Sequence, residues 1–234
     1  MRILLFGATG MVGSAALLEC LDDPRVERVL SVARRPCGLR HDKLEEQLHP
    51  DLADVAALSP RWEGLDACLF CLGVSAAGLD EAAYTRITHD LTLAVARALL
   101  ERSPQASFCY VSGQGTDSTE HGRAMWARVK GRTENNLLKL PFRGAWMFRP
   151  GVILPRRGVR SRTRLYQIFY STLGWTLPLA RLLAPRQIVD SVELGRALLR
   201  AARTGAGNAV LEPPDILILA REESQQREAA CSSS

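Results

Sequence analysis

The stretch 1–13, MRILLFGATGMVG, limits the possible folds of this chain more than any other part of the sequence. Residues 3–6 form a short apolar run, which is typical of a strand that is buried on both faces. Apolar residues recur at helical spacing after Gly10, so a helix is expected to follow. The turn between strand and helix contains Gly7 and Gly10, and Gly13 follows one helical turn later.

Each glycine has a physical role if this turn approaches a pyrophosphate. Gly7 can turn sharply, Gly10 lacks a Cβ that would block the phosphates, and Gly13 lets the helix press on the strand. The helix N-terminus then offers unpaired N–H groups to the anion. An ordinary strand-to-helix turn is the alternative, but the order of strand, turn and helix favours a dinucleotide site.

Length and composition are those of a globular α/β protein. The chain has 234 residues, of which 47% are hydrophobic and 24% are charged. We expect a single domain over residues 1–220, with 153–190 as a substrate lid and 221–234 as a disordered polar tail. No apolar stretch is long enough to cross a membrane, so the expected location is cytoplasmic.

The chain is basic, with a formal net charge of +5. This charge admits an anionic small molecule or nucleic acid as a partner, but no nucleic-acid recognition motif accompanies it, so a small-molecule substrate is favoured. The segment 156–185 combines arginines with apolar and aromatic residues. A pair of short lid helices is the preferred interpretation, and a surface for a protein partner or a membrane is the alternative.

The six cysteines do not have the spacing of a disulfide framework. Cys68 and Cys71 form a CxxC pattern, but they fall within a predicted strand, where residues three apart point to opposite faces. We therefore interpret them as small buried thiols and expect no metal site.

Strands and helices alternate from residue 1 to 152, which predicts a doubly wound parallel sheet with its ligand outside the carboxyl ends of the strands. The predicted strands are 3–6, 28–32, 44–48, 67–72, 107–111, 145–148 and, less regularly, 208–211. The predicted helices are 80–100, 123–140 and 191–202, with Ser191 as an N-cap. The residues at the ends of five strands should converge on one crevice: Gly7, Arg34, Gly73, Ser112 and Pro150.

Two arginines, Arg34 and Arg35, follow the second predicted strand. In NAD-binding folds an acidic residue at this place accepts hydrogen bonds from the adenosine ribose. A guanidinium instead binds a 2′-phosphate through charge-assisted hydrogen bonds, so NADP(H) is preferred to NAD(H). Asp51, after the third strand, is either a helix cap or an adenine contact.

Four segments together resemble the atypical short-chain dehydrogenases/reductases, most nearly the branch of the Tat-interacting oxidoreductase-like proteins. The segments are the glycine turn 7–13, Tyr110-Val111-Ser112-Gly113, Val129-Lys130-Gly131 with Glu134, and Phe148-Arg149-Pro150-Gly151. The resemblance extends from residue 1 to about residue 211. It implies an NADP-binding Rossmann fold.

The resemblance also implies a role for individual residues. Lys130 would bind the nicotinamide ribose and act in catalysis, with Ser112 as the candidate hydroxyl partner. The remaining cofactor-binding candidates run from the pyrophosphate to the carboxamide: Gly7, Thr9, Gly10, Met11, Val12, Gly13, Arg34, Arg35, Asp51, Leu52, Leu72, Gly73, Val111, Pro150, Gly151 and Val152.

The chain departs from this family at the residue one helical turn before Lys130. Active members have a tyrosine there, and the lysine ammonium lowers its pKa so that it serves as an acid at neutral pH. This chain has Trp126, whose indole N–H does not exchange its proton in catalysis. Tyr84 and His121 are weaker substitute acids.

Two functions remain open from the sequence. The first is an NADP(H)-dependent oxidoreductase that acts on a carbonyl or quinone-like substrate, with its proton supplied by water, Ser112 or a group on the lid. The second is an NADP(H)-binding regulatory or assembly protein, because the nucleotide site is intact while the usual acid is absent.

Overall fold

The computed structural model describes residues 1–157 and 187–232. Nine strands lie in these ranges: β1 Arg2–Phe6, β2 Arg28–Ala33, β3 Leu44–Leu48, β4 Ala67–Phe70, β5 Ser107–Val111, β6 Gly144–Phe148, β7 Val152–Leu154, β8 Ile188–Asp190 and β9 Val210–Leu211. The α-helices are α1 Met11–Asp22, α2 Val55–Leu58, α3 Glu81–Thr85, α4 Leu91–Arg102, α5 Met125–Leu138, α6 Ser191–Thr204 and α7 Pro213–Ser232.

Seven strands form one sheet in the order β3-β2-β1-β4-β5-β6-β9, and every neighbouring pair is parallel. The strand order reverses between β1 and β4. In open parallel sheets this reversal opens a crevice at the carboxyl ends of the strands, and ligands bind there. The fold class is therefore confirmed as a doubly wound Rossmann sheet.

Strand β1 is apolar throughout because both faces of the sheet are covered. Ile3 and Leu5 belong to a core formed with α1, α6 and α7, whereas Leu4 and Phe6 belong to a second core formed with α2, α4 and α5. In the second core Phe6 stacks on Phe70 at a ring-centroid distance of 5.2 Å. The continuous apolar run at 3–6 is thus the signature of a central strand.

The predicted helix 80–100 is divided into three parts. Asp80 caps α3 by accepting a 2.7 Å hydrogen bond from the Ala83 N–H. A π-helical turn, Arg86–Asp90, then joins α3 to α4. The π turn places His89 between Asp90 and Asn136 of α5, at 2.8 and 2.9 Å. A π turn inserts one residue into the helix, and apolar periodicity does not reveal it.

The predicted Ser191 cap is wrong, and of the two roles left open for Asp51 the helix cap is not observed. Asp54, not Asp51, caps α2 by accepting from the Ala57 N–H, while the Asp51 carboxylate accepts from the Ala53 N–H in the preceding turn. Helix α6 begins at Ser191 with Asp190 as its N-cap, in a capping box closed by Glu193. In both cases a neighbouring aspartate has the better position for the N3 amide.

The prediction of a disordered tail from residue 221 is not met, because α7 continues to Ser232. The physical reason is Glu223, whose side chain is completely buried. Its carboxylate forms ion pairs with Arg25, Arg203 and Arg227 at 2.5, 2.6 and 3.3 Å. Two of these partners, Arg25 and Arg203, lie outside the tail, so the polar composition of the tail did not reveal them.

Only the ends of the predicted lid 153–190 lie within the described residues. There β7 and β8 pair in parallel as a small second sheet. The rest of the lid, and most of the proposed partner or membrane surface at 156–185, lies outside them. No helix in the described ranges has the length and apolarity needed to cross a membrane.

We expect Glu223→Gln to destabilise the protein by roughly 3 kcal/mol, because it removes a buried carboxylate that pairs with three partly buried guanidiniums. Denaturant unfolding measures this effect. Glu222→Gln is the control, since the Glu222 side chain is 46% exposed and its pair with Arg200 is weaker at 3.3 Å. Equal, small losses in both variants would contradict a docked α7.

Candidate functional site

The glycine turn is held by backbone contacts that exclude side chains. Gly7 has φ of +87°, and a Cβ there would lie 2.7 Å from the Cys71 carbonyl group at the end of β4. A Cβ on Gly13 would lie 2.1 Å from the Gly7 oxygen. Gly10 donates a 2.8 Å hydrogen bond to that same oxygen. The turn is therefore compact because only glycine fits at 7 and 13.

The N-terminus of α1 is open toward the crevice. A Cβ on Gly10 would meet only the Gly7 oxygen, at 3.3 Å, so the protein leaves the space beside Gly10 free. No side chain caps this helix, and its first turn contains no acidic residue. The free N–H groups of the first turn, which includes Met11 and Val12, form a site suited to a pyrophosphate.

A cavity of about 60 Å³ adjoins the turn. It brings together residues that the sequence analysis drew from four separate segments. They are Gly7, Thr9, Arg34, Arg35, Leu52 and Leu72, together with Val32 and Ala33 of β2. Since parallel strands end at one edge of the sheet, segments far apart in sequence meet there.

Arg34 and Arg35 are exposed at the rim of this cavity. In the part of the chain that the structure describes, neither guanidinium has a hydrogen bond or an ion pair. Most arginines elsewhere in these ranges pair with carboxylates, as Arg28 and Arg61 do with Glu45. Two free guanidiniums beside a pyrophosphate-binding turn are available to an anionic ligand.

The other cofactor-binding candidates near the cavity differ in their exposure and in whether their polar groups are already engaged. Asp51 is exposed, and its carboxylate is already engaged by the Ala53 N–H, so Leu52 is the better candidate for an adenine contact. Gly73 is exposed, with no atom within 4 Å of a Cβ placed on it. Val111 is partly buried at the end of β5.

The Lys130 side chain extends from α5 to the carboxyl end of β5, where its Nζ donates a hydrogen bond to the Ser112 carbonyl oxygen. Burial lowers the pKa of Lys130 to about 8, and the nearby Glu134 carboxylate opposes that shift. Lys130 therefore carries an ammonium that is easier to deprotonate than an ordinary lysine.

The Ser112 side chain is buried and bonded to groups of the protein. Its hydroxyl lies 2.5 Å from Glu134 Oε1 and 3.0 Å from the Phe148 carbonyl oxygen, and both are acceptors. Glu134 is completely buried and is bound by the Arg149 guanidinium. A serine whose proton is directed at a buried carboxylate is poorly placed to donate it to a substrate.

The loop between β5 and α5 crosses directly over Lys130's helix. A Cβ on Gly131 would lie 1.7 Å from the Asp117 carbonyl oxygen, so only glycine permits this crossing. The Asp117 carboxylate accepts from the Thr119 hydroxyl and from the Gly122 N–H, both at 2.6 Å. These bonds hold the pKa of Asp117 below its usual value.

The structure gives little support to Tyr84 or His121 as a general acid in place of the family tyrosine. Tyr84 is 2% exposed, and burial raises its pKa against a hydrogen bond from Thr88. His121 is exposed on the loop before α5. Trp126 is partly buried, with its ring 3.4 Å from a Cβ placed on Gly115.

The segment after β6 forms the far wall of the crevice. Pro150 is buried, and its carbonyl oxygen accepts from the Gln114 N–H at 2.9 Å. A Cβ on Gly151 would lie 2.7 Å from the Gln187 carbonyl oxygen and 2.8 Å from Gln114 Oε1. Gly151 is thus needed for close packing, whereas Val152 is 41% exposed and available to a ligand.

The sequence analysis missed the roles of Gln114, Arg149 and Gln187. Gln114 Nε2 donates to Gln187 Oε1 at 2.7 Å, which ties the loop after β5 to the residue that precedes β8. Arg149 belongs to the segment Phe148-Arg149-Pro150-Gly151, but its hydrogen bond to Glu134 of α5 joins two separate elements, and no local sequence pattern predicts it.

Three of the described cysteines, Cys20, Cys68 and Cys109, are buried in the core. Cys68 is buried, and Cys71 is partly exposed behind the glycine turn. Burial raises the pKa of Cys71 to about 12, so the group is a thiol at neutral pH. No cluster of three or more metal-binding side chains occurs in the ranges 1–157 and 187–232.

Curated sequence relatives match most of the chain. The protein fmp52-2, mitochondrial, of Aspergillus terreus is 27% identical over 229 residues, which cover 94% of this chain and 96% of the relative. Protein HTATIP2 of Rattus norvegicus is 25% identical over 175 residues, covering 73% of this chain and 71% of the relative. No protein-family model matches the chain.

Solved structures share the fold at low identity. The Bordetella bronchiseptica enzyme WbmH, solved with NAD+, superposes with a TM-score of 0.66 and 18% identity over 90% of this chain and 74% of its own. A short-chain dehydrogenase/reductase of Saccharomyces cerevisiae superposes with a TM-score of 0.65 and 15% identity, covering 93% and 98%. These structures show that the chain has the Rossmann fold of short-chain dehydrogenases/reductases. The similarity to HTATIP2 agrees with the resemblance to the Tat-interacting oxidoreductase-like proteins that the sequence motifs indicate.

The expected cytoplasmic location is contradicted by the relatives. Those from Aspergillus terreus, Eremothecium gossypii and Chaetomium globosum are all named mitochondrial proteins. The expectation was based only on the lack of a long apolar segment. That criterion tests for membrane spans and signal peptides and does not address import into an organelle.

Gly13→Ala should destabilise the protein by at least about 2 kcal/mol and weaken dinucleotide binding, because the new methyl group meets the Gly7 oxygen. Thermal unfolding and a binding titration measure the two effects. Gly207→Ala is the control, since nothing lies within 4 Å of a Cβ there. A wild-type melting temperature in Gly13→Ala would contradict the close approach.

Proposed function

We propose that this protein binds NADP(H) at the carboxyl ends of β1, β2 and β4 and transfers a hydride to a carbonyl or quinone-like substrate. The observation that carries the proposal is the cavity that joins the glycine turn to two unpaired guanidiniums, Arg34 and Arg35. Structural neighbours solved with NAD, WbmH and MoeE5, support a nicotinamide cofactor. The mitochondrial names of the relatives support a mitochondrial setting.

The preference for the 2′-phosphorylated cofactor is based on charge. The residues that follow β2 at the cavity are Arg34 and Arg35, where NAD-binding folds carry a carboxylate. A phosphate at this rim would receive charge-assisted hydrogen bonds from guanidiniums that have no competing acid. An unphosphorylated ribose would gain less from the same groups.

The turn fits the remainder of the cofactor. Thr9, Gly10 and Met11 border the open N-terminus of α1 and would contact the pyrophosphate. Lys130 would bind the nicotinamide ribose, and Val152 would border the carboxamide. When bound, the cofactor supplies a hydride, and the protein determines the position and the proton supply.

The substrate class follows from the unusual acid position. General acid catalysis is worth roughly a hundred- to ten-thousandfold, and Trp126 does not provide it. Quinone-like acceptors, whose reduction depends less on a general acid at the reacting atom, therefore fit the site better than simple ketones. A regulatory role is the second candidate, and the same Trp126 favours it.

The oxidoreductase and the regulatory protein can be distinguished by whether the protein turns over a substrate. We expect NADPH oxidation above the uncatalysed rate with at least one acceptor in a panel of quinones and carbonyl compounds, followed by absorbance at steady state. If no acceptor is reduced while NADPH binds, the oxidoreductase proposal fails. A partner captured only in the presence of NADPH would then support the regulatory role.

Arg34→Asp should weaken NADPH binding by about a hundredfold and leave NADH binding within a few-fold, because a carboxylate repels the 2′-phosphate. Calorimetric titration with both cofactors measures the ratio of the two affinities. Arg40→Asp makes the same charge change at an exposed arginine that does not line the cavity. An unchanged ratio in Arg34→Asp would refute the assignment.

A further inference from the structure

The crevice needs a proton donor if it reduces carbonyl groups, and Ser112, Trp126 and Tyr84 do not serve. The Ser112 hydroxyl is directed at Glu134 and Phe148, the indole does not exchange its proton, and Tyr84 is buried with a raised pKa. The Lys130 Nζ lies at the carboxyl end of β5, where it donates to the Ser112 carbonyl oxygen. It is a titratable group that the structure brings to this edge of the crevice.

A chain of hydrogen bonds holds Lys130 there. Its Nζ donates to the Ser112 carbonyl oxygen, and the Ser112 hydroxyl is bonded to Glu134. Glu134 in turn accepts from the Arg149 Nε at 3.1 and 3.2 Å. Arg149 also donates to Ser118 Oγ at 2.5 Å. The acceptor of the lysine is therefore fixed between α5 and the end of β6.

We infer that the Lys130 ammonium is the general acid of this site, in place of the missing tyrosine, and that Glu134 and Arg149 position it through the Ser112 carbonyl group. The inference rests on the proposed function and specifies its proton supply. It makes carbonyl compounds accessible as substrates in addition to quinone-like ones.

The step balances as an ordinary carbonyl reduction. A hydride from the reduced nicotinamide forms the new C–H bond, while a proton leaves Lys130 Nζ and forms the O–H bond of the alcohol. The nicotinamide is oxidised and the carbonyl is reduced by two electrons. The neutral amine regains its proton from water.

The groups around Lys130 allow this cycle near neutral pH. Glu134 on the same helix favours the ammonium, but its charge is shared with Arg149 from the end of β6. Tyr110 of β5 lies beside Glu134, and burial raises its pKa so that it stays neutral. With a pKa of about 8, Lys130 is protonated at pH 7 and releases its proton far more readily than an ordinary lysine.

Lys130→Arg separates proton donation from binding. Arginine keeps the positive charge for the ribose but does not release a proton, since its pKa exceeds about 12. We expect NADPH affinity within threefold of wild type by calorimetry, and a loss of kcat for carbonyl acceptors of about a hundredfold or more. Lys139→Arg, the same change at an exposed residue next to α5, should have no effect.

The pKa of Lys130 can be measured by NMR, independently of any catalytic assay. The chain has three lysines, Lys43, Lys130 and Lys139. Reductive ¹³C-methylation of the protein therefore gives few NMR signals, and Lys130→Arg assigns one of them. We expect a midpoint near pH 8 for Lys130 and a higher one for Lys139, and kcat that falls above the Lys130 midpoint.

Three results would overturn the inference. They are a Lys130→Arg variant that keeps kcat within threefold, a Lys130 midpoint equal to that of Lys139, and a wild-type protein that reduces quinones but no carbonyl compound. Failure of the proposed function looks different, because wild type would then reduce no acceptor of either kind, whether or not it binds NADPH.

Discussion

The contact between the glycine turn and the end of β4 determines where the rest of the site lies. Gly7 turns against the Cys71 carbonyl group, and Gly13 brings α1 onto the Gly7 oxygen, at distances that no side chain permits. Strand β1 is thereby packed against β4 on one side and β2 on the other. The reversal of strand order, the open N-terminus of α1 and the arginines after β2 all follow from this arrangement.

A second set of interactions, ion pairs between buried carboxylates and arginines, holds α7 against α1, the helix that follows the turn. Three buried carboxylates, Glu19, Asp23 and Glu223, lie between α1 and α7 and are paired with arginines, Arg227 among them. Burial opposes ionisation of Asp23, yet hydrogen bonds and charge from Arg25 and Arg227 hold its pKa at about 2. A group of this kind stabilises the fold above its ordinary pKa of about 3.8, and the contribution is lost as the pH falls toward 2.

The sequence predicted the sheet well because its central strands are largely apolar runs, and β3 and β5 have the expected bounds although β3 is a polar edge strand. It also predicted the glycine turn and the free arginines, since both are local patterns. It did not predict the docking of α7 or the Ser112–Glu134–Arg149 network, because these depend on charges that meet only after folding. The inward direction of the Ser112 hydroxyl is of the same kind: the residue type was visible, but the rotamer depends on a buried partner from another element.

Binding and catalysis are therefore separate properties of this crevice, with the adenosine end at the arginines and the reacting end at Lys130 and Trp126. A crystal structure of the protein with NADP+ tests this division most directly. We expect the 2′-phosphate within hydrogen-bond distance of Arg34 or Arg35, and the nicotinamide ribose within reach of Lys130 Nζ. A dinucleotide bound with its phosphate away from both arginines, or with its nicotinamide away from Lys130, would contradict the account.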